Sequence, residues 1–247
     1  MSQCIFCKST SGPFSTQEHI LPESLIGEND AILPDGLYCD KCQNVFGSSV
    51  EQQAIGNYPF NQLRVLFQIP TKKRKKPWFK SGEGIFIATD RPKIIEYIPS
   101  PPFVEAMKEG RKTVIRVLAE PKRPDMVCRF LLKMALENVA LNNREMVFKE
   151  KYDCARNYAL YGEKNQEWWY LQKENLTALN VAIKTRTHPD SWNDPIICKI
   201  YVFIDGAEIF FFKLYYLELF TPLLANTPPP LLDPLTMKEP EYRLFKV

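Results

Sequence analysis

Four cysteines stand in two pairs, Cys4-Ile5-Phe6-Cys7 and Cys39-Asp40-Lys41-Cys42, and the tripeptide Glu18-His19-Ile20 lies between them. Each Cys-x-x-Cys turn presents two thiolates from a tight bend. Two such turns make a closed tetrahedral set for one structural zinc ion. A pair of disulfides is the competing use of these residues. The chain holds seven cysteines, an odd count that suits a reduced compartment better than a disulfide framework. The other three, Cys128, Cys154 and Cys198, fall in apolar periodic stretches and read as inert core thiols.

A zinc staple dictates nothing about the residues between its turns, so a carboxylate beside a histidine is a separate signal. The chain has only two histidines, and the second, His188, reads as a loop residue. Glu18 offers a hard oxygen donor suited to Mg²⁺ or Mn²⁺. Histidine is the side chain suited to taking a proton from water near neutral pH, and His19 is placed to do so. A divalent ion beside a phosphodiester would stabilise charge on the phosphate and the leaving oxygen. The rest of such a site falls on the helix expected after Cys42. Gln43 and Asn44 sit in its first turn, and Ser48 and Glu51 follow Asn44 on one α-helical face. Glu18, Gln43, Asn44 and Glu51 are therefore the candidate catalytic-metal ligands or orienting residues.

The elements that must position these groups are short. Thr16 to Leu21 reads as a strand entering a turn at Pro22, and a second strand returns through Leu37 and Tyr38 after Asp35-Gly36. Asp40 to Ile55 reads as a helix with Asp40 as its N-cap. Adjacent strand residues face opposite ways, so Glu18 and His19 serve one site only if the strand bends, which Pro22 favours. Further on, Gly84 to Thr89, Lys93 to Ile98 and Thr113 to Ala119 read as strands, with Pro99 to Pro102 a loop. Pro124 to about Asn142 is the clearest helix, and a second spans Asn143 to Tyr161 and stops at Gly162. On the first of these, Lys133 and Glu137 read as a structural pair. Ile196 to Ile204 and Ala207 to Tyr216 flank Asp205-Gly206, the signal of a type I′ hairpin. The Pro-rich tail from Thr227 reads as irregular.

Cys-x-x-Cys, then Glu-His-Ile-Leu-Pro-Glu-Ser-Leu, then Cys-x-x-Cys followed by Gln-Asn-Val-Phe-Gly resembles the HNH endonuclease family. More narrowly it resembles the zinc-knuckle branch with a Glu-His-Ile-x-Pro motif. The resemblance covers about the first quarter of the chain. It implies a ββα-metal module around one catalytic Mg²⁺ or Mn²⁺, with His19 as general base and Glu18 as metal ligand. It also implies structural zinc on Cys4, Cys7, Cys39 and Cys42. Two departures stand out. The branch has asparagine directly after the second knuckle, where this chain has Gln43 with Asn44 one place later. The branch's Leu-Gly-Gly is Leu25-Ile26-Gly27 here.

The expected architecture is thus α+β: a zinc-stapled HNH module over residues 1–57, then a mixed helix and antiparallel-sheet domain over 58–247 that selects substrate or partner. A length of 247 residues with 45% hydrophobic content supports a sizeable core. The expected activity is metal-dependent hydrolysis of nucleic-acid phosphodiesters, DNA before RNA. The alternative is a zinc-stapled nucleic-acid-binding protein with a decayed site. The net charge of +3 says little; its distribution says more. Lys72, Lys73, Arg74, Lys75, Lys76 and Lys80 form a basic run around Trp78 and Phe79, suited to phosphates and to stacking on an unpaired base. A solvated surface loop is the plainer use of that run. No signal peptide or membrane span is expected, and the location expected is cytoplasmic. A homodimer and an activating ligand or protein remain open.

Overall fold

The computed structural model describes residues 2–26, 31–71, 73–91, 94–111, 114–115, 117, 119–163, 166–175, 177, 179–180, 196–230 and 242–247. In chain order its helices are α1 (Glu23–Ile26), α2 (Asp40–Val45), a π-helical segment (Phe46–Glu51), α3 (Gln52–Ile55), α4 (Phe60–Leu66), α5 (Pro101–Lys108), α6 (Pro124–Asn142), two 3-10 turns (Met146–Phe148 and Glu150–Tyr152) and α7 (Asp153–Tyr161), so the helix expected over Asn143 to Tyr161 is α-helical only from Asp153. The strands are β1 (Trp78–Lys80), β2 (Gly84–Ala88), β3 (Ile95–Pro99), β4 (Trp169–Glu174), β5 (Ile196–Val202), β6 (Glu208–Leu214), β7 (Leu217–Pro222) and β8 (Tyr242–Lys246). The protein is mixed α+β, and every strand pairing is antiparallel.

The chain forms two compact units. One comprises Met1–Ile20, Asp30–Glu51 and Pro124–Val247; the other comprises Leu21–Asn29 and Gln52–Arg123. The units interleave along the chain, whereas the expected domains follow one another.

The first unit is built on α6. Fourteen of its nineteen residues are buried, because β5, β6 and β7 cover it on one side while α7 and the π-helical segment cover others. A helix enclosed in this way must be apolar nearly all round, and its run of Val127, Phe130, Leu131, Leu132, Met134, Ala135 and Leu136 is. The sheet has the order β5-β6-β7-β4-β8. Phe210, Phe212, Leu214 and Leu219 supply its buried side chains, and Trp168, just before β4, stacks on Tyr158 of α7 at 5.5 Å. Helix α7 ends at Gly162 (φ +70°). A Cβ there would lie 3.1 Å from the Arg129 guanidinium. That guanidinium donates to the last carbonyls of α7, Nε to Ala159 at 3.0 Å and Nη2 to Leu160 at 2.8 Å. Glycine is needed both for the left-handed cap and for this close approach.

The second unit carries the β1-β2-β3 sheet. Directly opposed residues make an aromatic ladder, Phe79 on Phe86 and Phe86 on Tyr97, both at 4.8 Å, with Phe103 of α5 edge-on to Tyr97.

Several expected elements change. The return strand near His19 is not Leu37–Tyr38. His19 bridges Ile32, flanked by Ile20 N–H donating to Ala31 and Leu33 N–H donating to Glu18. Leu37 and Gly36 instead accept from Ile5 and Gln3, which ties the second turn to the first cysteine knuckle. Pro101 opens α5, since proline suits a first helical turn, so Pro99–Pro102 is not a loop. In Thr113–Ala119 the described residues Val114, Ile115 and Val117 are exposed and belong to no strand; alternation alone makes no strand without a surface to bury one face. At Asp205-Gly206 only Gly206 has positive φ. Gly206 N–H donates to Phe203, and Asp205 Oδ1 accepts from Ala207 N–H, so the tip is not type I′. The tail is not wholly irregular, because β8 pairs along β4.

Candidate functional site

The N-terminal part of the first unit gathers two clusters of unlike chemistry. The sulfurs of Cys4, Cys7, Cys39 and Cys42 all lie within 4.8 Å of one another, and those of Cys7 and Cys39 are 3.7 Å apart. Tetrahedral zinc with Zn–S bonds of about 2.3 Å needs sulfurs roughly 3.8 Å apart, so the set fits a metal such as zinc. It is the one group of its kind among the described residues. The hydrogen bond that Cys4 shares with Cys42 draws the Cys4 thiol down to about 5 and pushes Cys42 up. A metal binds cysteines as thiolates, so loading this set would release their thiol protons.

The knuckles are fixed from several directions. Phe6 packs on Tyr38 and Phe46, with ring centroids 5.1 and 4.6 Å away. Arg156, almost wholly buried on α7, donates Nε to the Ile5 carbonyl at 2.5 Å and pairs with Asp153, which also pairs with Lys8 at 2.5 Å. Asp40 is not the N-cap, which is Cys39. The Asp40 carboxylate accepts instead from Ser15 N–H (2.9 Å), Ser15 Oγ (2.5 Å) and Thr16 Oγ1 (3.0 Å), and these bonds hold its carboxyl below the usual range. Of the remaining cysteines, Cys128 is buried and Cys198 half-buried; Cys154 is exposed and is no core thiol.

The second cluster centres on Lys133 of α6, which has no exposed surface. Its Nζ lies 2.6 Å from Glu18 Oε1, 2.8 Å from Glu51 Oε1 and 3.0 Å from Glu137 Oε1. Gln43 Nε2 donates to the other oxygen of Glu18 at 2.8 Å. Burial pushes Lys133 down, but the fields of Glu137, Glu51 and Glu18 outweigh it and the net shift is upward. Burial pushes Glu137 well up, because one ammonium cannot neutralise three carboxylates. Tyr38 lies against the same group, with its ring 5.9 Å from Nζ. Its buried hydroxyl has no hydrogen-bond partner among the described residues.

Three of the four proposed catalytic-metal ligands, Glu18, Gln43 and Glu51, therefore meet. Asn44 does not; it is exposed, and its carbonyl accepts from Ser48 Oγ at 2.6 Å. The cause is the π-helical segment over Phe46–Glu51. A π turn takes up an extra residue and slips the helix phase by roughly 100°. Gln43 and Glu51, eight residues apart in sequence, then stand as residues seven apart would in an α-helix, on one face. Asn44 and Glu51 lose the face that a plain helix would give them. Lys133 itself was read as half of a local pair; sequence gave no distance from it to Glu18. The usable signal is three charged residues, Arg129, Lys133 and Glu137, spaced four apart within the apolar run of α6.

His19 is half-buried and follows buried Glu18 at the bridge to Ile32. His188 and Lys72 lie outside the described residues. In the second unit Trp78 is 60% exposed, while Phe79 is already stacked. Lys73, Arg74, Lys75 and Lys80 are exposed; Lys76 pairs with Asp90 at 2.8 Å.

The chain matches no protein-family model, no curated protein and no solved structure. Fold and site define an α+β protein with a four-cysteine cluster able to hold a metal such as zinc. Among the described residues no helix is long and apolar enough to cross a membrane.

Proposed function

We propose that the chain is an HNH-type endonuclease that hydrolyses phosphodiester bonds of nucleic acid, DNA before RNA, with zinc on Cys4, Cys7, Cys39 and Cys42 as its staple. The observation that carries this reading is the meeting of Glu18, Gln43 and Glu51 from two separate segments, with Glu18 next in sequence to His19 and Gln43 next to Cys42. The donor set suits a hard divalent ion. The orphaned Tyr38 hydroxyl beside it is a buried donor that water on such an ion would satisfy. Glu18 and Glu51 would hold Mg²⁺ or Mn²⁺, with Gln43 orienting Glu18. When bound, the ion supplies a Lewis acid for the charge that develops on the phosphate.

His19 takes the proton from the attacking water, and its half-buried setting keeps the ring in reach of solvent. Lys73, Arg74, Lys75 and Lys80 contact backbone phosphates, and Trp78 offers an exposed ring for stacking. A cytoplasmic location fits the unpaired thiols. A homodimer would allow paired strand breaks, and a ligand or protein partner would provide control.

The test is cleavage of supercoiled plasmid by wild type and His19→Ala in Mg²⁺, Mn²⁺ and EDTA. Nicking that requires the ion and vanishes in His19→Ala is the expected result; nicking that survives in His19→Ala defeats the mechanism. One observation favours a second reading, a zinc-stapled nucleic-acid-binding module without catalysis: Lys133 engages both carboxylates that the ion would need. Retained binding to DNA or RNA with no cleavage in any metal would establish that module.

A further inference from the structure

We propose that Lys133 is the resident counter-cation of the Glu18–Glu51–Glu137 cluster and competes directly with a divalent metal ion for Glu18 and Glu51. Lys133 Nζ donates to Glu18 Oε1 at 2.6 Å and to Glu137 Oε2 at 3.2 Å, and Glu51 Oε1 completes the ion pairs at 2.8 Å. Mg²⁺-sized ions bind carboxylate oxygens at about 2.0–2.2 Å. Nζ sits within hydrogen-bond distance of the same oxygens, so the two cations cannot share the position. The surroundings are arranged around a cation. Gln43 fixes the second oxygen of Glu18, and the Tyr38 ring faces Nζ from 5.9 Å.

The geometry also supplies an exchange route. Glu51 is the most exposed of the three carboxylates, at 21% of its side chain, against 10% for Glu18 and none for Glu137. An arriving ion meets Glu51 first. Lys133 then keeps Glu137, one helical turn along α6, as its remaining partner. Metal occupancy is thus set by whether Lys133 releases Glu18 and Glu51. The use of that ion in hydrolysis rests on the endonuclease reading; the competition does not.

The experiment is Mn²⁺ binding by the zinc-loaded 247-residue chain, followed by the electron paramagnetic resonance signal of free Mn²⁺. The chains compared are wild type, Lys133→Arg and the double variant Lys133→Met/Glu137→Gln, which removes the ammonium without leaving the innermost carboxylate alone. The double variant should bind Mn²⁺ tighter than wild type by about tenfold or more, the loss of a full competing charge at contact distance. Adding Glu18→Gln should abolish that gain, and Lys133→Arg should stay close to wild type. A double variant that binds no tighter overturns the proposal. So does wild-type binding below about 1 mM that Glu18→Gln removes, an affinity that a seated competitor forbids; this arm needs no Lys133 variant to fold. Cleavage is not part of the readout, so failure of the nuclease reading leaves the binding result intact.

Discussion

The four thiols and the three glutamates present the same physical problem. Each cluster gathers ligands that repel one another once ionised, and each is answered differently. The four thiol sulfurs lie within 4.8 Å of one another, and a metal would bind them as thiolates, releasing their protons. The glutamates sit around a lysine contributed from 115 residues away. A metal from solution would complete the first cluster, whereas the second carries its own cation. The first cluster therefore depends on what the solution supplies, and the second on whether α6 is in place.

The largest effect should come from the thiols. Structural zinc is worth on the order of 10 kcal/mol in small modules. Cys39→Ser should lose the metal and strip amide-exchange protection from residues 2–20 and 31–51 while α6 stays protected. Equal protection with and without metal would mean that Phe6, Tyr38, Phe46 and Arg156 suffice to hold the knuckles.

Lys133→Met comes next. Removing the only cation from buried carboxylates costs about 3–5 kcal/mol, to be read as a lower urea midpoint at unchanged slope. A cost below about 1 kcal/mol would mean that water solvates the cluster and that it resembles a surface pair.

Third is the pH response. Glu137 has its folded pKa raised above the ordinary 4.5 by burial, so the folded state holds that proton more tightly than the unfolded one. Its contribution is fully present below pH 4.5 and is lost as pH rises through the folded pKa. The slope reaches at most about 1.4 kcal/mol per pH unit. Glu137→Gln should flatten that decline, so the variant gains on wild type as pH rises above 5. Parallel curves would show that Glu137 is ionised when folded.

The smallest effect is at Gln43, which follows Cys42 and bonds Glu18, and so links the two clusters. Gln43→Ala should cost about 1 kcal/mol. Combined with Lys133→Met it should cost less than the sum, since both act through Glu18; strict additivity would deny the link.

The same contrast explains what the sequence could reveal. The thiol cluster was legible because a zinc turn is a local pattern, with two cysteines three residues apart specifying their own geometry. Helix α6 was legible through periodicity, and the helical run from Asp40 to Ile55 through its start at the second knuckle, although its cap is Cys39. The lysine cluster was not, because its members come from residues 18, 51 and 133–137 and no local rule ties them. Lys133 with Glu137 at i+4 looks like an ordinary exposed pair until both prove to be fully buried. The π turn had no signal beyond Gly47 and the neighbouring serines, yet it decides that Glu51 and Gln43 share a face while Asn44 does not. Strand β8 was hidden by the prolines before it, although Tyr242 to Lys246 pairs as a regular strand along β4. The catalytic assignment of His19 rests on its place in a motif.

The long separation between Glu18 and Lys133 also has a meaning in time. A ribosome makes residues 4 to 42 before residue 133, so the cysteine knuckles are free to take up a metal first. Glu51 follows shortly afterwards, but Lys133 lies about 80 residues further on, roughly 4–16 s at ordinary elongation rates. For that interval the nascent chain carries Glu18 and Glu51 without the counter-ion that later meets them.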